Sequence, residues 1–197
     1  MNAFSSRYDA ALKLAASSHR NQVRKSTDIP YIAHPVHVSV LLLRHGFGED
    51  LVIAGLLHDL IEDCDIPITR LAAEFGETVA QLVEAVSEAR PADGVRLSWE
   101  QIKADKLAHL RAGGPDVAAL KAADALHNAR SIIADYEQVG PLVWQRFQRG
   151  SAAMLGYYQE ILASVRGWLG DHPLADELAT AVDELAALAH VTPRAET

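Results

Sequence analysis

The chain has 197 residues, 49% hydrophobic and 22% charged, with one cysteine and a formal net charge of −8. That length suits one domain able to bury a core without disulfides or a structural metal. Cys64 alone forms no intrachain disulfide, which fits a reducing compartment. The acidic balance weighs against a nucleic-acid backbone as main partner, because such binding relies on basic surfaces that release counterions; a small anionic substrate stays open, since a few local Lys or Arg residues override global charge.

The opening "MNAFSSRYDA" has neither a basic start before an apolar run nor a small-residue cleavage site, and the longest apolar stretches, "VHVSVLLL" and "LVIAGLL", fall short of a membrane span. The expectation is a cytoplasmic protein with no membrane and no nucleic-acid partner. Apolar residues then recur at three- and four-residue spacing with little strand-like alternation, which predicts an all-α, compact multi-helix bundle. Helices are expected at 5–20, 35–45, 49–62, 67–75, 77–88, 99–111, 117–136, 141–168 and 174–190. Breaks fall at "HGFGED", "CDIP", Gly76, "GGPD" and "GDHP".

The longest break, "SEARPADGVRLS", reads as a solvent loop, with a mobile flap as the alternative. In the last helix Leu174, Leu178, Val182, Leu185 and Leu188 form one stripe, read as a core face, with a homodimer interface as the alternative. Residues 1–192 are expected to form one domain and 193–197 a disordered tail.

Chemistry concentrates in three places. In "AGLLHDLIED", Ala54 to Asp63, an apolar helix ends in a histidine and three acids. Charged groups are rarely buried unless paired. At about 100° per residue, Glu62 lies only about 40° around the helix from His58, and Asp63 equally from Asp59, so the four share a face. In "KAADALHNARS", Asp124 and Asn128 align on a helix face flanked by Leu120, Ala122, Ala123 and Leu126, which directs Asp124 inward. In "RKSTDIPYIAHP", His34 precedes Pro35 and so is expected to be extended or at a helix entrance; alone it says little. Together His34, His58, Asp59 and Asp124 offer two imidazoles and two carboxylates, a mixed set suited to Mn²⁺, Fe²⁺ or Zn²⁺ with positions open for water or substrate.

The order "HRNQVRKSTDIPYIAHP", "AGLLHDLIEDCDI", "LKAADALHNARS" resembles the HD-domain hydrolases of the RelA/SpoT kind, including the small stand-alone alarmone hydrolases of the metazoan SpoT type. The resemblance spans roughly residues 5–160. It implies an all-α fold, Mn²⁺ held by His34, His58, Asp59 and Asp124, and a nucleotide substrate such as ppGpp that loses its 3′-pyrophosphate. It further implies water activation and proton handling by Glu62 and Asp63, a basic pair at the base and phosphates in Arg24 and Lys25, and a substrate contact at Asn128.

Two departures stand out. Where the family carries Arg or Lys after the aspartate ligand, this chain has Ala125, so phosphate affinity must lie elsewhere. In "WEQIKADK", Gln101 and Ile102 replace an expected Glu-Arg; Lys103 and Lys106 could reach a phosphate but read equally well as solvated helix lysines. Trp144, Phe147 and Tyr157 read as core, His127 as packed or hydrogen-bonded, and His37 as having no partner pattern, while His19 and Gln22 are expected to support the site.

The functional expectation is a metal-dependent 3′-pyrophosphohydrolase acting on (p)ppGpp or (p)ppApp; because no synthetase region follows, degradation alone is expected. The alternatives are a phosphatase on another nucleotide, such as NADPH or a deoxynucleotide, and an inactive alarmone-binding module. The complete set of site residues speaks against the module.

Overall fold

The computed structural model describes residues 5–25, 27–87, 97–147 and 149–191; most of the long break and the tail at 193–197 lie outside these described residues. Ten α-helices follow in order: α1 (Ser6–Ser18), α2 (Ala33–Arg44), α3 (Glu49–Leu57), α4 (Leu60–Cys64), α5 (Ile68–Phe75), α6 (Glu77–Val86), α7 (Trp99–Ala112), α8 (Gly114–Val139), α9 (Gly150–Leu169) and α10 (Pro173–Val191). A 3-10 helix, Gly140–Arg146, joins α8 to α9. No strand occurs among the described residues; a single antiparallel bridge between Val23 and Pro30 ties the loop before α2. The all-α expectation holds, and no described helix is long and apolar enough to cross a membrane.

Local chemistry sets many of the ends. Ser5 caps α1 by accepting from the Tyr8 amide at 3.0 Å, and Ser98 with Gln101 forms a reciprocal capping box on α7, each satisfying amides a helix start leaves open. Asp65 ends α4 in the left-handed region at φ 55°, a conformation that aspartate tolerates better than most residues.

The long helix α8 packs against α2, α9 and α10, and also touches α3, α6 and α7. Its buried face is rich in alanine (118, 119, 122, 123, 125 and 129), which lets several neighbours approach one helix. Helix α3 is buried at every position from Leu51 to Leu57, as expected for a helix apolar all round. It lies close to α2 at Gly55, where an added Cβ would stand 2.8 Å from Leu42 Cδ1 and 3.2 Å from Ser39 Cα. In the C-terminal stripe Leu174, Leu178, Val182 and Leu185 are buried, and α10 packs on α8 and α9.

Two expected helices are divided. The 49–62 helix breaks at His58 and Asp59, between α3 and α4. His58 Nδ1 bonds the Gly55 carbonyl at 2.9 Å, the acceptor that the Asp59 amide would use in a continuous helix. The 141–168 helix is interrupted after Arg146, where Phe147 turns extended, and α9 starts at Gly150, whose φ of 74° favours glycine.

Candidate metal centre

The entrance of α2, the end of α3 and the middle of α8 bring four groups to one point. His34 Nε2 lies 3.2 Å from His58 Nε2, and Asp59 Oδ2 lies 3.1 Å from His58 and 3.6 Å from His34. Asp124 Oδ1 completes the group, 3.3 Å from His34 Nε2 and 4.0 Å from His58 Nε2. Donors that share an ion at about 2.1 Å stand about 3.0–3.4 Å apart in octahedral or tetrahedral arrangements, so the trio His34, His58 and Asp59 is spaced to hold an ion, with Asp124 at its edge. Both histidines are buried, and His58 Nδ1 is taken by a backbone carbonyl, which leaves Nε2 as its inward donor.

Electrostatics agree with that fit. Burial alone would raise Asp59, but the imidazoles of His58 and His34 hold it well below the usual carboxylate range. Asp124 is likewise depressed, against burial, by the Lys121 ammonium and by His34. Burial works against the His58 imidazolium, yet Asp59 outweighs it and pushes His58 up to about 9; His34 moves down, chiefly through burial. Two buried carboxylates demand positive charge between them, and a proton or a divalent ion supplies it.

Supporting bonds fix these groups. The Tyr31 hydroxyl donates to Asp59 Oδ2 at 2.7 Å, and burial together with Asp59 keeps that phenol protonated. Lys121 Nζ donates to Asp124 Oδ2 at 2.6 Å, Asn128 Nδ2 to Asp124 Oδ1 at 2.6 Å, and Arg24 to Asn128 Oδ1 at 2.6 Å. Arg24 and Asn128 therefore belong to one chain of bonds ending at Asp124, while Lys25 Nζ donates to the Arg146 carbonyl at 2.8 Å. His34 Nδ1 meets His127 Nδ1 at 2.7 Å, and His127 Nε2 meets His37 Nδ1 at 2.7 Å, so His37 has a partner after all. Burial, then the neighbouring His34 and His37, lower His127 to about 3.

The break at Asp59 puts both expected acids, Glu62 and Asp63, on α4 instead of on α3. Glu62 lines a small cavity of about 180 Å³ with His58, Asp59 and Asp124, and accepts from Lys106 Nζ at 2.9 Å. Asp63 does not line that cavity; it is raised by burial and by Asp59, and it faces Tyr31 and His19. Gln22 joins His19 Nδ1 at 2.5 Å to the Asp63 carbonyl at 3.1 Å, which supports this edge of the site.

Two larger cavities adjoin the small one, and Asn128 borders all three. One of about 660 Å³ is lined by Lys25, Lys103, Lys121, Arg146 and Arg149, with Asp124 the only acid among the described residues that line it. The other, of about 450 Å³, has Arg24, Ile132, Val143 and Phe147 in its wall. Lys103 and Lys106 are not solvated lysines. Lys103 Nζ sits 4.4 Å from the Tyr157 ring centroid, and burial with Lys106 and Lys121 lowers it to about 8. The Tyr157 hydroxyl is buried without a hydrogen-bond partner, so this ring lines a site instead of serving only as core; Trp144 is buried as expected. Ala125 borders the large cavity, and the charge missing there is present on Lys121 and Lys103.

Sequence reasoning passed over Tyr31, Lys121 and the His37–His127 pair. Lys121 was signalled by its position three residues before Asp124; the histidines lie 90 residues apart and carried no local signal.

Comparison with known proteins places these residues in context. The family model described as HD domain matches residues 11–149. A Streptomyces coelicolor GTP pyrophosphokinase is 36% identical over 132 residues, 63% of this chain and 14% of that protein. The Aquifex aeolicus guanosine-3′,5′-bis(diphosphate) 3′-pyrophosphohydrolase is 34% identical over 125 residues, 62% of this chain and 17% of that protein. The chain thus spans less than a fifth of the length of these curated relatives. A Listeria monocytogenes crystal structure superposes with a TM-score of 0.69 at 36% identity, covering 76% of this chain and 96% of the other. The structure of a metazoan SpoT orthologue reported to hydrolyse ppGpp gives a TM-score of 0.76 at 24% identity, covering 98% and 100%; that likeness is one of fold.

Proposed function

The chain belongs to the HD-domain family, and we propose that it is a Mn²⁺-dependent nucleotide 3′-pyrophosphohydrolase that degrades (p)ppGpp or (p)ppApp alarmones and releases pyrophosphate. One observation carries the reading: a His/Asp cluster with metal-ligand spacing opens, at Asp124, onto a cavity walled by five Lys and Arg residues in a protein of net charge −8. The two larger cavities fall within the usual range of about 300–1,000 Å³ for ligand sites. A guanine or adenine nucleotide with diphosphates at both the 5′ and 3′ positions has three parts to seat, and three joined cavities suit them.

In this reading His34, His58, Asp59 and Asp124 hold the ion. Bound there, a divalent ion would supply Lewis acidity, lowering the pKa of water toward neutrality and polarising a phosphoryl oxygen. Glu62, at the wall of the small cavity, orients the attacking water and accepts its proton, and Lys106 holds the Glu62 carboxylate in place. Asp63 takes the second position, behind Asp59, as a proton-handling group whose pKa is raised by burial and by Asp59. Lys103 and Lys121 neutralise phosphate oxygens, and Arg24 and Lys25 face the base and sugar beside the apolar wall of the 450 Å³ cavity. Asn128, at the junction, fixes the ribose end of the scissile ester.

The deciding experiment incubates the protein with ppGpp, ppApp and NADPH, with Mn²⁺ or EDTA, and resolves the products. Pyrophosphate release that requires Mn²⁺ is expected. Orthophosphate released from NADPH instead would assign a phosphatase, and binding without any product would assign a regulatory module.

A further inference from the structure

We propose that His127 and His37 form a positioning relay for the ligand ring of His34, so that metal affinity depends on a surface histidine two imidazoles away from the ion. The inference rests on His34 being a ligand. The two ligand histidines are supported by different means. His58 donates Nδ1–H to a carbonyl that can only accept. His34 instead meets another imidazole, Nδ1 to Nδ1 at 2.7 Å, and that imidazole meets a third, Nε2 to Nδ1 at 2.7 Å.

A neutral imidazole has one N–H and one lone pair, so the direction of this chain is set at its inner end. With the His34 Nε2 lone pair turned inward to Asp124 and His58, His34 Nδ1 must carry the hydrogen and donate it. His127 Nδ1 therefore accepts, its Nε2–H donates to His37 Nδ1, and the His37 Nε2–H points to water, as its exposure allows. Reversing any link puts a hydrogen on His34 Nε2 and blocks ligation. The chain also ties α2, which carries His34 and His37, to α8, which carries His127 and the ligand Asp124. Partners of ligand histidines typically contribute about 10- to 100-fold in metal affinity.

Because His37 and His127 also wall the 450 Å³ cavity, the test reads metal binding without nucleotide. Mn²⁺ titrations compare the wild type with His127→Phe, His127→Asn and His37→Ala. His127→Phe keeps a ring but loses both nitrogens and should weaken Mn²⁺ about 10- to 100-fold, while His127→Asn, whose amide oxygen stands near Nδ1, should recover to within about threefold of wild type. His37→Ala should cost about two- to threefold, as the more distant link. In Zn²⁺-loaded protein, long-range ¹H–¹⁵N spectra should show both His127 and His37 with hydrogen on Nε2. Affinity within twofold of wild type in His127→Phe, or either ring in the Nδ1–H form, overturns the relay. Should His127→Phe fail to fold, the tautomers of the wild type decide. A metal-loaded wild type that releases no product from any nucleotide would sink the hydrolase reading and leave the relay standing.

Discussion

The small cavity at the histidines and the large cavity beside it share Lys103, Lys121, Asp124 and Asn128, yet the rest of their walls differ in charge. The first gathers two imidazoles and the carboxylates of Asp59, Glu62 and Asp124, with Lys103, Lys106 and Lys121 also in its wall. The second gathers five cationic side chains among the described residues, of which Arg146 and Arg149 pair with Asp135 and Glu100, and a buried phenol hydroxyl without a hydrogen-bond partner. Between them stands one helical turn, Lys121 to Asp124, joined by a 2.6 Å bond. A net charge of −8 describes neither region, because buried electrostatics is decided within a few ångströms while the sum is dominated by solvated surface. The two regions should therefore fail in different ways: damage to the first removes metal and rate, and damage to the second removes substrate affinity.

The largest expected effect tests the first region. Asp59→Ala and Asp124→Ala should each abolish Mn²⁺ binding and turnover together, as should EDTA; turnover retained in Mn²⁺-replete buffer would break the assignment of ligands. Next, Glu62→Gln should keep metal content while turnover falls by about 10²-fold, the usual scale for a lost acid or base. If metal and rate fall in parallel, Glu62 supports the site instead of acting on water.

The second region gives smaller numbers with another signature. Lys103→Met should raise KM about tenfold for a nucleotide with diphosphates at both ends and leave kcat within about twofold, the loss of one charge-assisted contact worth ~1.5 kcal/mol. A matching fall in kcat would merge the two regions. Gly55→Ala tests whether helix spacing belongs to the first region alone. Forcing α2 and α3 apart by a few tenths of an ångström should weaken Mn²⁺ by about threefold and lower Tm, with KM unchanged, because overpacking costs more than the propensity gained by alanine.

The smallest effect is one of pH. Lys103, lowered to about 8, is charged below that value and neutral above it, so its help to phosphate binding is complete at lower pH and fades as pH rises through 8. KM at pH 8 should be about twofold above its value at pH 7, and Lys103→Arg, whose guanidinium stays charged, should flatten the profile. A wild-type KM that is flat from pH 7 to 9 removes Lys103 from the substrate.

Legibility in the sequence followed the range of the interactions. The helices were readable from periodicity, and that His34, His58, Asp59 and Asp124 come together was expected from the mixed donor set they offer as a group. The break at His58 was not, since it arises from a side chain competing for its own helix's carbonyl at Gly55. That break also undoes the helical-face argument for Glu62 and Asp63, one of which borders the small cavity while the other does not. Lys103 and Lys106 looked solvated because whether a helix lysine faces water is settled by what packs beside it, here Tyr157 and Glu62. The partnership of His37 and His127 needed α2 and α8 side by side.

Gly55 carries no functional group, yet it governs the distance between two that do. The separation of the two imidazoles is a backbone dimension, fixed by how closely α2 and α3 can lie, and not by any choice of side chain at the ion. Preference among ions of different radius could therefore be tuned, in this scaffold, from a position that never touches the ion, and variants at Ser39 or Leu42, the residues Gly55 leans on, become the natural dials.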